Sequence, residues 1–486
     1  MNYLMITLIL LPILTGCIVF FNKKMPFSTI KVVSMVGTLL TTCLAWFLIL
    51  QKELPTVTLV TFTQNLTLTL SLDGCGKIFA MIAATLWPVT LLYSYEYMKG
   101  EKFLHMFYGF FTASMGVTLG IAFADNLVTL YLFFELLTLT TIPLVLHHMT
   151  DEAKRATRYY MYFSMGGAAF AFMGVICVTL LGGTGGQFVF GGSMVALRDH
   201  YPTLMRIMYV LAFVGFGVKA ALLPCSAWLP RASVAPTPVT ALLHAVAVVK
   251  AGAFAVIRLT YYGYGTGYLS HSWAQWVVIA LASATILYGS WQAVRQQHFK
   301  RRLAYSTVAN MSYILLGVAF MTKDGLLAAS SHMVFHSLIK ILAFFVAGAV
   351  QHHAKCNYME EIEGCGPKMP VTWACFTVAA LALAGVPPFN GFVSKWYLGL
   401  AGIEQGTVFA YIGVGALMIS ALLTVIYMFQ VVIKVWFYPT TTACENAKEA
   451  GLRMAIPMVV LAVSLLVSGL YGGQIMSMLS KLLMGV

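Results

Sequence analysis

The stretch GVKAALLPCSAWLPRASVAPTPVTALLHAVAVVKAG, residues 217–252, decides how this chain is read. Pro224 stops an apolar helix that Lys219 has just joined, because proline removes a helical donor and clashes with the preceding turn. A second apolar run begins near Val239 and carries His244 and Lys250 inward. Runs of about 20 apolar residues are what a helix needs to cross a bilayer. A helix broken inside a bilayer frees backbone groups, which is tolerated only where the break lines a cavity or packs in protein. A lysine at that depth costs at least ~2.5–3.5 kcal/mol on insertion scales.

The rest of the chain has the same character. Of its 486 residues 60% are apolar and only 9% charged, whereas a soluble globular protein is about a quarter charged. That excludes an ordinary cytosolic enzyme, a disordered chain, a collagen-like repeat and a disulfide scaffold. The expected fold is an all-α polytopic membrane protein of about 14 spans. These are Tyr3–Phe21, Val32–Leu50, Ile78–Tyr95, Phe107–Ala124, Leu127–Leu146, Tyr159–Leu181 and Ile207–Leu223. Val239–Tyr261, Ala274–Val294, Leu303–Met321, Leu326–Val350, Val371–Tyr397, Val408–Trp436 and Ala455–Met476 follow. The first lacks a charged leader region and a small-residue cleavage site, so it reads as a retained helix.

With the N-terminus outside, 17 of the 29 Lys and Arg fall in cytoplasmic loops and 6 in external segments. Positive loops stay inside, so both termini are expected outside, in a cell (inner) membrane. The net charge of +13 then faces the cytoplasmic leaflet, and nucleic-acid binding is not needed to explain it. Residues 56–73, TVTLVTFTQNLTLTLSLD, alternate hydroxyl and apolar side chains around Gln64–Asn65. Period-two alternation predicts a small external β-hairpin. A lone hairpin is marginal in water, so it should lean on its own helices or on a neighbouring subunit.

No cofactor fingerprint is present, and the chain is expected to carry no cofactor and no metal. The nine cysteines include no Cys-x-x-Cys pair. His352, His353, Cys356 and Cys365 fall in one loop, but their spacing matches no zinc pattern and reads as a solvated segment. The GGTGG at residues 182–186 follows a span and reads as an external loop, not a dinucleotide site.

Six basic residues lie within spans: Lys219, Lys250, Arg258, Lys340, Lys395 and Lys434. Arg258 and Lys434 sit near span ends, where they can snorkel. The other four are deep, and Glu135 is the one mid-span acid. Such a set across several helices marks an ion or proton pathway. His244 and Lys250 share one predicted helix, six residues apart and about 9 Å along the axis, on different faces. His332, His336 and Lys340 recur every four residues on one face, giving a titratable stripe suited to a proton wire. Burial favours a neutral lysine and a nearby carboxylate favours a charged one, so Glu135 beside Lys219 would act as a switch. Pro224 and Pro387–Pro388 interrupt two lysine-bearing spans five spans apart, which points to an internal five-helix repeat.

Two other functional classes fit these residues less well than a proton-translocating subunit does. A self-contained Na⁺/H⁺ or solute transporter would need a carboxylate-rich ion site, and only Glu135 is deep. A passive membrane scaffold would not carry four deep lysines.

At these residues the chain resembles the antiporter-like subunits shared by respiratory complex I, the membrane-bound hydrogenases related to it, and Mrp cation/proton antiporters. The resemblance rests on FFELLTL at 133–139, the stretch at 217–252, KRRLAYSTVANMSYILLG at 300–317, HMVFHSLIK at 332–340 and AGVPPFNGFVSK at 384–395. In length the chain is similar to the two middle complex I subunits and to one of the antiporter-like Mrp subunits. The resemblance implies 14 helices with two inverted five-helix repeats, each with a Pro-broken helix. The corresponding division is 1–106 for the N-terminal helices and hairpin, 107–261 and 274–436 for the repeats, and 455–486 for the last helix. It also implies that Glu135 and Lys219 are a coupled pair, that Lys250 is the central lysine and that Lys395 stands at the exit. His244, His332, His336 and Lys340 would form the polar axis between them. The implied partners are other membrane subunits, a cytoplasmic redox arm on separate chains, the lipid bilayer, and protons, with Na⁺ as the other ion considered.

Overall fold

Inside a bilayer no water takes up backbone N–H and C=O groups, so apolar runs close their hydrogen bonds within helices. The computed structural model of the chain describes residues 2–52, 54–63, 66–181, 186–193 and 201–484. Among these, twelve helices are long and apolar enough to cross a membrane, from Tyr3–Phe21 to Leu452–Leu470. The chain is a polytopic, nearly all-helical membrane protein. Two expected spans take other forms. Phe299–Ala319 is unbroken but opens on Lys300, Arg301 and Arg302. Val371–Tyr397 is divided between the helices Pro370–Ala384 and Asn390–Gln405.

The two proline breaks share one geometry. After Pro202–Lys219, Ala221 turns left-handed at φ 60°, and Leu222 N–H donates to Gly217 O at 2.9 Å while Ala221 N–H donates to Val218 O at 3.0 Å. After Pro370–Ala384, Gly385 turns at φ 89°, and the matching bonds run from Val386 to Leu381 O and from Gly385 to Ala382 O, both 3.1 Å. This paired closure is the Schellman cap, which a following proline keeps from extending. The first break fits it with an alanine, at a steric cost of roughly 1–2 kcal/mol. Side chains also donate to carbonyls at both breaks. The Trp228 indole donates to Val218 O at 2.8 Å, and Lys395 donates to Leu383 O at 2.6 Å and Ala384 O at 3.1 Å.

Three segments depart from the sequence-based reading. The helix expected over Val239–Tyr261 is interrupted, with Thr237–Ala245 and Val248–Ile257 on either side of Val246–Ala247. There Ala247 N–H reaches back five residues to Leu242 O at 2.9 Å, a one-turn widening that no proline signals. The run then widens again into a π-helix at Arg258–Tyr264. The last expected span is two helices, Leu452–Leu470 and Gly472–Met484. Arg258 does not snorkel. It is 1% exposed and grips both carboxylate oxygens of Asp73 at 2.5 Å.

The hairpin is present as Val57–Thr63 antiparallel to Leu66–Leu70; its expected turn residues, Gln64 and Asn65, lie outside the described residues. It leans on its own chain. Asn126 Nδ2 donates to Thr67 O and Thr69 Oγ1, both at 2.8 Å, and Thr69 N–H donates to Thr129 Oγ1 at 2.9 Å. Gly182–Gly185 and Arg198 also lie outside the described residues. Loops assigned to one membrane side meet each other: Asn126 bridges Gln187 at the hairpin end, and His298 bridges Tyr358 at the other.

Gly252 sets the approach of two key helices. A Cβ there would lie 2.6 Å from Ala220 N and 3.0 Å from Lys219 C, so only glycine lets the Lys250 helix lie against the end of the Lys219 helix.

Candidate functional site

The helix Leu127–Val145 presents Glu135 to Lys219, the last residue of Pro202–Lys219. Lys219 Nζ lies 3.3 Å from Glu135 Oε1, also donates to the Phe134 carbonyl, and sits 3.4 Å from the centroid of the Phe134 ring. A cation at a helix C-terminus is favoured by the backbone dipole. The pair is asymmetric: the Lys219 side chain is wholly buried, while that of Glu135 is 28% exposed on the flank of the chain.

The centre of the chain is sealed. Lys219, His244, Lys250, His336 and Lys340 are all 0% exposed and His332 is 2% exposed. Lys250 Nζ meets His336 Nδ1 at 2.6 Å and lies 3.3 Å from Met311 Sδ. The His336 and His332 rings stand 5.6 Å apart, centroid to centroid, as four-residue spacing on one helix face requires. His332 Nδ1 then pairs with Ser394 Oγ at 2.9 Å. Ser394 precedes Lys395, whose ammonium lies 5.8 Å from the Tyr313 ring, itself 5.4 Å from His332. Lys250, His336, His332 and Ser394 thus make a line ending beside the second helix break. Lys395 is half-buried.

Not every expected residue joins it. Lys340 turns to Phe299–Ala319, donating to Leu303 O at 3.0 Å and to Ser306 Oγ. The His244 and Phe344 rings meet at a 42° tilt, centroids 4.7 Å apart, and neither His244 ring nitrogen has a hydrogen-bond partner among the described residues. Lys219 and Lys250 are linked through helix packing at Gly252 rather than through a hydrogen bond. Tyr313 and Ser394 border the line, and Ser306 holds Lys340 to one side of it, although the sequence did not single out any of the three. Hydroxyls are ordinary in helices, where they bond back to their own turn, so nothing marked these three. Lys300, read as a loop residue, is 4% exposed and donates to Ala235 O at 3.1 Å. It lies in the wall of a polar cleft of about 220 Å³ that also holds Glu152, His298 and Arg301.

Charges outside the spans respond to their surroundings. Burial, then the Arg301 and Lys300 charges, push His298 down to about 4. Burial raises the Asp125 carboxyl to about 6, Asp73 adding to the rise and Arg258 opposing it. Burial also acts to raise Asp73, yet the Arg258 charge and hydrogen bonds hold it below the usual carboxylate range. The loop after His353 is less solvated than expected: Cys356 and Cys365 are buried, and Cys356 Sγ lies 3.6 Å from Cys444 Sγ. Among the described residues, no group of three or more His, Cys, Asp or Glu is arranged to hold a metal ion.

Residues 124–415 match the family model described as NADH:quinone oxidoreductase/Mrp antiporter, TM. NADH-quinone oxidoreductase subunit N of Desulforudis audaxviator is 31% identical over 424 residues, spanning 84% of this chain and 83% of that protein. Na⁺/H⁺ antiporter subunit A1 of Staphylococcus haemolyticus is 29% identical over 83% of this chain, which spans about half, 52%, of the antiporter subunit's own length. Among solved structures, a chain of the membrane-bound sulfane sulfur reductase, an archaeal respiratory membrane complex, superposes with a TM-score of 0.87 at 25% identity, covering 98% of this chain and 96% of that one.

Proposed function

The chain belongs to the family of transmembrane subunits shared by NADH:quinone oxidoreductases and Mrp antiporters, and from that premise we propose that it moves protons along the buried line from Lys250 to Lys395. The observation that carries this reading is the 2.6 Å contact of Lys250 with His336, continued by His332 to Ser394. A lysine and two histidines at helical spacing supply groups that both take and release a proton. His332 Nε2 and His336 Nε2 have no partner among the described residues. Buried polar nitrogens call for partners, and water bridging them would complete a relay.

Glu135 and Lys219 act as the switch in this reading. While the carboxylate is close, Lys219 is held charged; drawing it away favours release. Glu135 is well placed for that, because its side chain is part exposed on the flank, where a neighbouring subunit can reach it. Lys395 is the outlet, half-buried at a break whose carbonyls it already binds. The matching caps after Lys219 and before Lys395 support two inverted repeats among 14 spans.

The chain works, in this proposal, as one membrane subunit of a redox-driven pump or an Mrp-type antiporter in the cell (inner) membrane, with both termini outside. Electron-carrying groups, where the assembly uses them, belong to partner chains. The test is proton flux in vesicles carrying the intact complex, with the co-purifying subunits identified. Flux unchanged in Lys250→Ala would end the relay reading, and a fully active chain purified alone would show a self-contained transporter.

A further inference from the structure

A second feature lies behind the relay helix, facing away from His332 and His336. Five helices leave a concave cleft of about 300 Å³. Ile82 and Leu86, Val334 and Leu338, and Leu479 supply its apolar walls, and Trp46 belongs to its lining. Ile82 and Leu86 are 8 and 12 residues into Gly74–Tyr97, about 12–18 Å below that helix's first turn. The cleft therefore reaches toward the middle of the membrane.

At its outer end the cleft shares Met478 with a wider, open surface depression of about 620 Å³ whose lining includes Gln474, Ser477 and Lys481. These three occupy one face of Gly472–Met484 at i, i+3 and i+7, while Met476, Leu479 and Leu483 are buried on the other. The helix packs at the membrane edge, its Leu482 carbonyl against Gly74 at the start of Gly74–Tyr97. No acidic residue occurs from Leu452 to the end of the described chain. An apolar slot that runs inward from an exposed lysine at the boundary has the shape and charge of a phospholipid with one anionic head group.

We propose that this cleft binds an anionic phospholipid, one acyl chain lying against Val334 and Leu338 and the phosphate near Lys481. A cleft between packed helices forfeits van der Waals contacts unless hydrocarbon fills it. One lysine near a membrane surface gives about a fivefold preference for an anionic lipid. The cleft wall is tied to the helix that follows the second break, because Asn390 Nδ2 donates to Ser468 Oγ in that wall at 2.9 Å. The proposal does not rest on the proton-transport reading.

The test uses the intact complex in vesicles containing phospholipids brominated on the acyl chain, which quench nearby tryptophan. Comparison with Trp46→Phe isolates the Trp46 signal. Brominated phosphatidylglycerol should quench it at about fivefold lower mole fraction than brominated phosphatidylcholine, and Lys481→Gln should remove the difference. Mass spectrometry of the detergent-purified complex gives a second reading: phosphatidylglycerol should be retained by the wild type and lost in Leu338→Trp, which fills the slot. Equal quenching by the two lipids would overturn the proposal. So would a Trp46 shielded from both, which would mean that a protein subunit covers the cleft.

Discussion

Lys250 Nζ stands 2.6 Å from His336 Nδ1, and neither residue is exposed. An ammonium has only donors, so while Lys250 is charged His336 must keep Nδ1 bare and its proton on Nε2. Passing the lysine proton to Nδ1 makes an imidazolium, and loss from Nε2 on the far side of the ring completes one hop. The contact therefore gives the imidazole a direction: it receives on one nitrogen and releases from the other. His332, one helical turn away, is the next ring in line.

His336→Ala and Lys250→Arg should both lower proton flux about a hundredfold or more, the scale of a lost proton-transfer group. Arginine keeps the charge but does not release its proton. Flux is measured in vesicles with the intact complex, and subunit content is checked in the same membranes. Wild-type flux in Lys250→Arg would show that Lys250 stays charged throughout.

Lys219→Arg should fail in the same way, while Glu135→Gln should slow transport without abolishing assembly. The amide still accepts a hydrogen bond from Lys219 at a separation like the present 3.3 Å, but it cannot hold the lysine charged. Equal flux in Glu135→Gln and wild type would reduce the pair to a structural contact between helices.

Gly252→Val tests the packing that joins the two halves of the site. The added Cβ would meet backbone atoms of Ala220 and Lys219, which cannot swing aside as a side chain can. Overpacking of this kind costs about 1–3 kcal/mol, so the variant should melt several degrees lower in detergent and lose flux. Gly252→Ala, with no further atoms, should fall between. An unchanged melting temperature in Gly252→Val would mean that the helices separate freely.

Much of this was legible before the structure. Apolar runs, lysine-bearing breaks and the hairpin follow from composition, proline chemistry and period-two alternation. The break at Val246–Ala247 was not legible, because small apolar residues there carry no stop signal. Arg258 was misread because its partner, Asp73, is 185 positions away in sequence and meets it only through the fold. Ser306 and Ser394 were invisible for the same reason: a hydroxyl gains its role only when Lys340 or His332 is placed against it. His244 was expected in the polar axis with Lys250, but the helix between them is broken, and its imidazole has no hydrogen-bond partner among the described residues.

The proposed sidedness rests on the charge bias of the loops. Cysteine labelling checks it in a chain whose exposed Cys17 and Cys43 are replaced. Gln297→Cys, in the basic segment at 295–302, should react with an impermeant reagent only from the cytoplasm. Thr61→Cys, on the hairpin, should react only from outside. The reverse pattern would exchange the inlet and the outlet of the proposed path.

The hairpin end of the chain should itself depend on pH through Asp125. Burial raises its carboxyl to about 6 from 3.8, with Asp73 pushing the same way and Arg258 the other. An acid whose pKa is higher in the folded state binds protons more tightly there than when unfolded, so stability falls as pH rises through that window. The loss begins near the unfolded value and is complete above about 6. The backbone of Asp125 is tied independently, its N–H donating to Thr69 O at 3.1 Å and its carbonyl accepting from Phe188 N–H at 2.8 Å. Asparagine at this position keeps both bonds and removes only the titrating charge. Asp125→Asn should therefore melt higher than wild type at pH 8 and match it near pH 4, read as thermal unfolding of the purified complex in detergent across that range. A difference that stays constant with pH would show that the Asp125 charge is not what the burial opposes.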